Sequence, residues 1–438
     1  MARVHRSRAP GIALFVLGVA VGCAPEALEV APGLADDPVR YMEEVAYRRG
    51  VLERDLTESN NEYAQERLAL YGLEGVGWDV LPPGDAPSLP LSLDEADLLA
   101  AGADLVFEAD SAARLEPESI PATDSEWLDL GRRVFFQYPL RPDPIYTALV
   151  GLPGALEETG FLQDDGVWVG LRLVDDGAGG VAVAPTCAQC HASLQPDGSL
   201  SAVLSNRDMD VGLARLLVMD TQEGGLPPEL DSTEAADLER LGPGRTDVLS
   251  DQEFNPYALP DFGGLADLPF LHHNANWHHR GTATLAVRCE TLFITADSGR
   301  TRIPRVLSWA LARWFQSLPA PTPLDEAPGP EAKQGQQVFY DSGCANCHVP
   351  PLYTSDRVVT VDEIGTDPGA GQSAVRWTGN YRIPSLRGVG RTAPYLHHGA
   401  VETLEMLFDP ERTEPGHEFG LALTAEERVA LLAFLRSI

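Results

Sequence analysis

The order Cys-x-x-Cys-His occurs twice in the 438-residue sequence and constrains the fold more than any other feature. The residues of the two motifs are Cys187, Cys190 and His191, followed by Cys344, Cys347 and His348. The cysteine pairs of a zinc site usually lie about 12 to 20 residues apart, whereas these pairs are more than 150 residues apart. A thiol–disulfide motif does not require the histidine. The spacing therefore predicts two covalently bound c-type haems, with His191 and His348 as iron ligands.

The second protein ligand of each iron determines what a haem can do. An iron with two protein ligands transfers electrons, whereas an iron with one open face can bind peroxide or oxygen. For the second haem we predict His417, which lies 69 residues after His348 in a glycine-flanked loop before the last helix. The alternatives are His397, His398 and Met406 as the ligand, with His417 on the surface.

A histidine-rich segment follows the first motif. Four histidines, a tryptophan and an arginine fall within the nine residues 272–280. Trp277, His278 and His279 are the candidate catalytic residues near the first haem. The alternative is that some of these histidines are structural, with both ring nitrogens hydrogen-bonded inside the core.

Four sequence blocks recur in the same order around the two motifs, and this repeat predicts two related domains. Residues 131–136 and 335–340 precede the motifs, 268–273 and 393–398 follow them, and apolar helices at 306–318 and 425–438 close each unit. We expect domains at 121–320 and 331–438, with an N-terminal extension at 23–120. Strand signals are few, so the fold is predicted to be mainly α with long loops.

The first 22 residues are typical of an export signal. Arg3, Arg6 and Arg8 precede an apolar run of ten residues, which is too short to span a bilayer. The run ends at Ala20-Val21-Gly22-Cys23, which resembles a bacterial lipobox. We therefore expect lipidation of Cys23 and a protein anchored by its lipid on the periplasmic side of the envelope, at the outer membrane. The alternative is ordinary signal cleavage with an incidental cysteine.

The formal net charge of −33 excludes a nucleic-acid-binding surface, because such surfaces are basic. The acidity either keeps the surface solvated or steers a basic electron donor towards the protein. We therefore expect a small redox protein or another electron donor as partner. Contact with the membrane is expected only through the lipid anchor.

The second domain resembles the bacterial di-haem cytochrome c peroxidases. The resemblance lies in residues 335–348, Ile383–Arg387 and Thr392–Gly399, and extends more loosely over roughly residues 120–438. The same superfamily includes the enzyme that matures methylamine dehydrogenase and the rubber oxygenases. The resemblance implies two tandem cytochrome c-like domains, with electrons passing from the C-terminal haem to a reactive N-terminal haem.

The resemblance also implies two further features. In the peroxidases a calcium ion lies between the domains, on backbone carbonyls of the motif that matches Thr392 and Pro394. A tryptophan lies between the haems, and Trp277 is the best match. Glu411 occupies the position of the peroxidases' methionine ligand, and this departure favours His417. The sequence offers no clean match for the peroxidases' distal acid.

These features together predict an exported di-haem oxidoreductase of the peroxidase type. The second haem would transfer electrons and the first would react, with peroxide as the first expected oxidant and dioxygen as the next. The alternatives are a pure electron-transfer cytochrome, an oxygenase of the rubber-oxygenase type, and a structural or sensing cytochrome without turnover.

Overall fold

The computed structural model of the chain describes residues 34–57, 60–220, 232–249, 253–325 and 328–438. The predicted signal segment and Cys23 lie outside these ranges. Seventeen α-helices and twelve short strands occur in the described ranges, so the predicted mainly α character is confirmed. In these same ranges, no helix combines the length and apolar character needed to cross a membrane.

The N-terminal region contains four helices and one strand. They are α1 (Pro38–Glu43), α2 (Val45–Asp55), α3 (Glu62–Leu70), β1 (Leu89–Ser92) and α4 (Leu93–Ala100). Side-chain caps mark the start of three of these helices. Asp37 accepts a hydrogen bond from the backbone N–H of Arg40, and Asn61 accepts one from that of Ala64. Ser92 and Glu95 form a capping box at the start of α4.

The first repeat unit contains eight helices and nine strands. The helices are α5 (Asp124–Gln137), α6 (Pro144–Val150), α7 (Ala155–Glu158), α8 (Ala188–His191), α9 (Val211–Asp220), α10 (Ser232–Leu241), α11 (Thr282–Ala296) and α12 (Arg305–Ser317). The strands are β2 (Gln163–Asp164), β3 (Val167–Asp175), β4 (Val181–Pro185), β5 (Ser193–Leu194), β6 (Leu200–Ser201), β7 (Arg245–Thr246), β8 (Tyr257–Ala258), β9 (Phe270–Leu271) and β10 (Trp277–His278).

The second repeat unit is shorter. Its elements are α13 (Pro330–Asp341), β11 (Val358–Thr360), α14 (Val361–Ile364), α15 (Gly369–Gln372), β12 (Asn380–Arg382), α16 (Leu404–Leu407) and α17 (Ala425–Arg436). Thr424 and Glu427 form a capping box at the start of α17, as their spacing in the sequence suggests.

The same helix pairing occurs in both units. In the first, α5 packs on α12, and Gly131 lies so close to the carbonyl of Ala310 that a Cβ atom there would clash with it. In the second, α13 packs on α17, and a Cβ atom on Gly335 would clash with the carbonyl of Ala430. Glycine at these two positions lets the helix backbones approach each other closely.

An aromatic pair follows each of these glycines by one helical turn. The ring centroids of Phe135 and Trp314 lie 4.8 Å apart in the first unit. Those of Phe339 and Phe434 lie 5.4 Å apart in the second. Each pair packs the first helix of its unit against the last. The Cys-x-x-Cys-His motif of each unit lies in the chain between these two helices.

The insertion between α5 and the first motif forms most of a four-stranded antiparallel sheet. Strand β3 is central and pairs with β1, β2 and β4. Leu91, Leu171 and Val183 from this sheet are fully buried in a core of their own. Since β1 comes from the N-terminal region, that region is joined to the first unit by a strand pairing.

The N-terminal helices also share the apolar core of the first unit. Tyr41 and Val51 from α1 and α2 are fully buried together with Leu307 and Trp309 from α12. The rings of Tyr41 and Trp309 lie 5.3 Å apart. The N-terminal region therefore packs as part of the first unit rather than as a separate body.

The β9–β10 hairpin connects the two units. The backbone N–H of Arg382 in β12 donates to the carbonyl of His273 over 2.8 Å, and its guanidinium donates to the carbonyl of Phe270 over 3.0 Å. The hydroxyl of Thr378 donates to the carbonyl of Asn274 over 2.7 Å. The histidine-rich segment thus lies at the contact between the units.

Candidate functional site

The first Cys-x-x-Cys-His motif forms one helical turn supported by the sheet. The backbone N–H of His191 donates to the carbonyl of Cys187 over 3.1 Å, which closes the turn. Gly170 of β3 lies directly against the backbone of Gln189, with φ +79° and no room for a side chain. Burial raises the pKa of the Cys187 and Cys190 thiols to about 12, unlike the lowered thiol pKa of redox-active Cys-x-x-Cys motifs.

The ring of His191 is fixed by a backbone carbonyl and a phenyl ring. Its Nδ1 lies 3.0 Å from the carbonyl oxygen of Pro260, and its ring stacks on Phe262 at a centroid distance of 4.3 Å. A carbonyl only accepts, so Nδ1 carries the proton and Nε2 keeps its lone pair. Burial lowers the pKa of His191 to about 4, which keeps the ring neutral. A neutral imidazole held in this way suits a metal ligand.

The second motif repeats this arrangement. The backbone N–H of His348 donates to the carbonyl of Cys344 over 3.0 Å. The Nδ1 of His348 lies 3.1 Å from the carbonyl oxygen of Tyr353 and 3.2 Å from that of Pro384. Burial lowers the pKa of His348, so this ring also stays neutral with Nε2 available.

His417 lies beside His348. Their ring centroids are 6.3 Å apart, with an angle of 57° between the ring planes. A metal bonded to one nitrogen of each ring, at about 2 Å from each, separates the centroids by about 6 Å. Burial and the neighbouring His348 lower the pKa of His417 to about 4. Its Nδ1 is buried and has no hydrogen-bond partner in the described part of the chain, so the ring can take a partner that the protein does not supply.

The loop that carries His417 is held on both sides. The backbone N–H of His417 donates to the carbonyl of Ile364 at the end of α14 over 2.9 Å. The guanidinium of Arg412 donates to the carbonyls of Glu414 and Gly416, each over 2.7 Å. Gly416 has φ +101° and lies against Thr366, so a side chain would not fit there. These backbone contacts hold the loop, and with it the imidazole of His417, in place.

The surroundings of His191 differ from those of His348. The aromatic ring that packs on His191 is that of Phe262. Among the described residues, no second imidazole lies at a similar distance from His191. In both motifs the histidine is held by a backbone carbonyl. Only His348 has a second histidine, His417, beside it among the described residues.

The three candidate catalytic residues lie at the end of the β9–β10 hairpin and just beyond it. Trp277 is fully buried. His278 is half-buried, and its ring lies 4.7 Å from that of Phe270. His279 has hydrogen-bond partners on both ring nitrogens, the carbonyl of Leu268 at 2.9 Å and the amide of Gln316 at 3.3 Å. These contacts are typical of a structural histidine, because neither ring nitrogen is left for a ligand.

The segment that contains Thr392 and Pro394 borders the first unit. The carbonyl of His397 accepts a hydrogen bond from the backbone N–H of Ala258 in β8 over 2.9 Å. Within the described ranges, no group of three or more His, Cys, Asp or Glu residues is arranged to hold a metal ion. The predicted calcium site relies on backbone carbonyls, so it stays a prediction.

Several residues that shape the two sites could not be picked out in the sequence. Pro260 and Phe262 lie far from the first motif in sequence and act through a carbonyl or a ring. Gly170 acts through the absence of a side chain. A proline or glycine in a long loop region gives no chemical signal of its own, and only the fold brings these residues to the motifs.

One family model matches part of the second unit. Residues 380–415 match the family described as RoxA-like, cytochrome c-like. This segment contains β12 and two of the three stretches that carry the peroxidase resemblance, Ile383–Arg387 and Thr392–Gly399, and it ends two residues before His417.

Two curated relatives match longer parts of the chain. The methylamine utilization protein MauG of Methylorubrum extorquens is 30% identical over 129 residues, covering 26% of this chain and 36% of that protein. The cytochrome c551 peroxidase of Nitrosomonas europaea is 25% identical over 237 residues, covering 50% of this chain and 66% of that protein. The chain thus spans less than two thirds of the length of either relative.

Two solved structures align with large parts of the chain at 14% identity. Hydrazine synthase of Kuenenia stuttgartiensis, pressurised with 20 bar xenon, aligns over 84% of this chain and 97% of that chain, with a TM-score of 0.39. A MauG-like protein associated with microbial copper homeostasis aligns over 74% and 90%, with a TM-score of 0.36. Both TM-scores are too low to support a conclusion about the fold.

The family match and the two curated relatives agree with the resemblance that the sequence motifs carry. At modest identity they support a haem-dependent oxidoreductase of the cytochrome c type. The predicted resemblance to the bacterial di-haem cytochrome c peroxidase superfamily is confirmed by these matches.

Proposed function

We propose that the chain is an exported di-haem oxidoreductase with one closed and one reactive haem site. Cys187, Cys190 and His191 would hold the first haem, and Cys344, Cys347 and His348 the second. The observation that carries the proposal is the difference between the two histidines. The ring centroids of His348 and His417 are 6.3 Å apart, whereas the ring that packs on His191 is the phenyl ring of Phe262.

The residues around each site fit the two roles. When bound, the second haem would exchange electrons with a donor, and the first would bring peroxide, or dioxygen as the next choice, to an open iron face. His348 and His417 would be the protein ligands of the second iron. Pro260 orients His191 and Phe262 stacks on its ring. We propose that the first iron has no second histidine ligand, because no second imidazole among the described residues lies beside His191 as His417 lies beside His348.

We propose that the remaining candidate residues act in the region between the two sites. We propose that Trp277 lies on the electron path, because it is fully buried in the hairpin that contacts both units. His278 would line the first site, and His279 would order the hairpin through Leu268 and Gln316. Calcium on the carbonyls of Thr392 and Pro394 would join the units.

We further propose two tandem cytochrome c-like domains, because the same glycine-mediated helix pairing encloses both motifs. The signal at 1–22 and the lipidation of Cys23 would place the protein on the periplasmic side of the envelope. Its partner would be a small redox protein or another electron donor.

The direct test is turnover with hydrogen peroxide and a reduced donor. Haem staining of the denatured protein should first give two covalent haems per chain. The protein should then oxidise the donor catalytically when peroxide is added. A protein that carries both haems but oxidises no donor with peroxide or dioxygen would be a pure electron carrier, and the enzymatic proposal would be lost.

A matched pair of tryptophan variants tests the electron path. Trp277→Phe should slow donor oxidation, because the buried indole lies between the units. Trp377→Phe, which changes a tryptophan that is 47% exposed, should leave the rate unchanged. Equal rates in the two variants would remove Trp277 from the path.

A further inference from the structure

The tripeptide 205–207 is bonded to the turn that the first Cys-x-x-Cys-His motif forms. The backbone N–H of Asn206 donates to the carbonyl of Cys190, the residue before His191, over 2.9 Å. The side-chain amide of Asn206 donates to the carbonyl of Gly160 over 2.8 Å, and Asn206 is buried. The tripeptide is therefore held at a fixed place against the motif.

Arg207 binds the loop whose carbonyl orients the ring of His191. That carbonyl belongs to Pro260 and lies 3.0 Å from Nδ1 of the ring. The guanidinium of Arg207 donates to the carbonyl of Leu259 over 2.6 Å and to the carboxylate of Asp261 over 2.7 Å. One arginine thus holds the residues on both sides of Pro260.

Ser205 holds the same two residues. Its backbone N–H donates to the carboxylate of Asp261 over 2.8 Å, and its hydroxyl donates to the carbonyl of Leu259 over 2.9 Å. Burial raises the pKa of Asp261, and the contacts with Arg207 and Ser205 offset part of this rise. Hydrogen bonds between charged groups are stronger than those between neutral groups. The ion pair is therefore the strongest link between the tripeptide and the loop.

The second unit connects the same parts through hydroxyl groups. The hydroxyl of Ser355 donates to the carbonyl of Cys347, the residue before His348, over 2.9 Å. The hydroxyl of Thr354 donates to the carbonyl of Ile383, next to the proline whose carbonyl lies against Nδ1 of His348. In both units one short segment joins the motif turn to the loop that holds the histidine, and the first unit does so with an ion pair.

We propose that Arg207 and Asp261 are positioning residues for His191. They hold the carbonyl of Pro260 against Nδ1 of that ring and thereby lower the reduction potential of the first haem. A hydrogen bond from Nδ1 to an acceptor makes Nε2 more basic and fixes the ring. A more basic ligand stabilises the oxidised iron, so the potential falls. The inference rests on the proposed function, in which His191 is a ligand of the first iron.

Three variants weaken this contact without changing the net charge. The double variant Arg207→Gln with Asp261→Asn removes the ion pair. Arg207→Lys replaces the two binding nitrogens of the guanidinium by one. Ser205→Ala removes a hydroxyl group. The control is Arg48→Gln with Asp79→Asn, which removes a buried ion pair of the N-terminal region and also keeps the net charge.

Each of the three variants should raise the reduction potential of the first haem, because a loosely held carbonyl leaves His191 a weaker donor to the iron. The double variant should give the largest shift. The potential of the second haem should not change, and the control should change neither potential. Spectroelectrochemical titration measures both haems in the same chain.

Proton exchange measures the positioning itself. In protein that contains isotope-labelled histidine, nuclear magnetic resonance follows the exchange of the Nδ1 proton of His191 with water. This exchange should be faster in the three variants, by about tenfold in the double variant, and unchanged in the control. The measurement does not depend on haem. Haem staining that finds no haem would contradict the proposed function, and proton exchange alone would then decide the positioning role.

Two results would overturn the inference. If Arg207→Lys and Ser205→Ala change neither the potential nor the exchange rate, the ion pair does not position His191, even if the double variant fails to fold. If the potential shifts while the exchange rate stays the same, the two residues act through their electric field and not through the carbonyl. Faster exchange with an unchanged potential would refute the effect on the first haem.

Discussion

At the scale of single residues, each histidine that we propose as an iron ligand is oriented by backbone carbonyls rather than by another side chain. Carbonyls of Pro260, Tyr353 and Pro384 hold the Nδ1 atoms of His191 and His348, so both rings present Nε2 in the neutral form. His417 is fixed as firmly, because its own backbone N–H is bonded to Ile364. Binding of the second iron would then require little reorganisation of the protein.

This arrangement makes the role of His417 testable by substitution and chemical rescue. His417→Ala should convert one low-spin haem signal to high-spin, since the second iron would lose one of its two protein ligands. Added imidazole should restore the low-spin spectrum by filling the vacated position. Met406→Ala is the control, because that side chain is 43% exposed and is an alternative ligand, so the spectrum should not change. An unchanged spectrum in His417→Ala would show that another residue is the ligand.

At the scale of elements, both motifs lie between a first and a last helix that cross at glycine. The repeat of blocks in the sequence predicts this duplication, because Gly131 and Gly335 occupy the same place in their blocks. The four-stranded sheet is harder to predict. The run Val167–Asp175 is apolar almost throughout, since both of its faces are buried, and it lacks the alternation typical of a half-buried strand.

The helix crossing predicts a large effect for a single methyl group. Gly335→Ala should lower the free energy of unfolding by about 1–3 kcal/mol, because the helices must separate to admit the Cβ atom. Gly50→Ala is the control in another helix, where the new Cβ meets only the end of the Leu34 side chain. That variant should be as stable as the parent or more so, since alanine favours helix. Chemical denaturation followed by circular dichroism measures both, and equal effects would contradict this packing.

The support of the first motif by the sheet is tested with two glycines of similar backbone conformation. Gly170 and Gly166 have φ of +79° and +77°, but only at Gly170 would a Cβ atom clash, with the backbone of Gln189. Gly170→Ala should therefore reduce haem attachment at Cys187 and Cys190 and spare the second motif. Mass spectrometry of proteolytic haem peptides measures both sites. Equal loss in Gly166→Ala would mean that backbone strain, and not the contact with the motif, is responsible.

At the scale of the whole molecule, the hairpin with Trp277 joins two units and the N-terminal region. The motifs, the repeat and the His417 loop could be predicted from the sequence, because each has a local chemical signal. The proximity of Arg67, Arg288 and Arg376 to Tyr63 and His272 could not, since the three arginines come from three regions and have no common motif. It arises where the N-terminal helices share the core of the first unit and Val375 of the second unit packs against that core.

The net charge of −33 leads to a prediction about the electron donor. If the acidity steers a basic donor protein, the rate of electron transfer should fall by about tenfold or more between low and high ionic strength. The rate with a small neutral donor should stay the same. Stopped-flow measurements at several salt concentrations distinguish the two, and equal salt dependence would mean that the acidity serves solubility alone.

Electron paramagnetic resonance of the purified, fully oxidised protein tests the central claim most directly. The account predicts two iron centres per chain, one low-spin with two histidine ligands and one with an open face that gives a high-spin signal and changes when peroxide is added. Two low-spin centres that stay unchanged in the oxidised and half-reduced states, with and without peroxide, would contradict it.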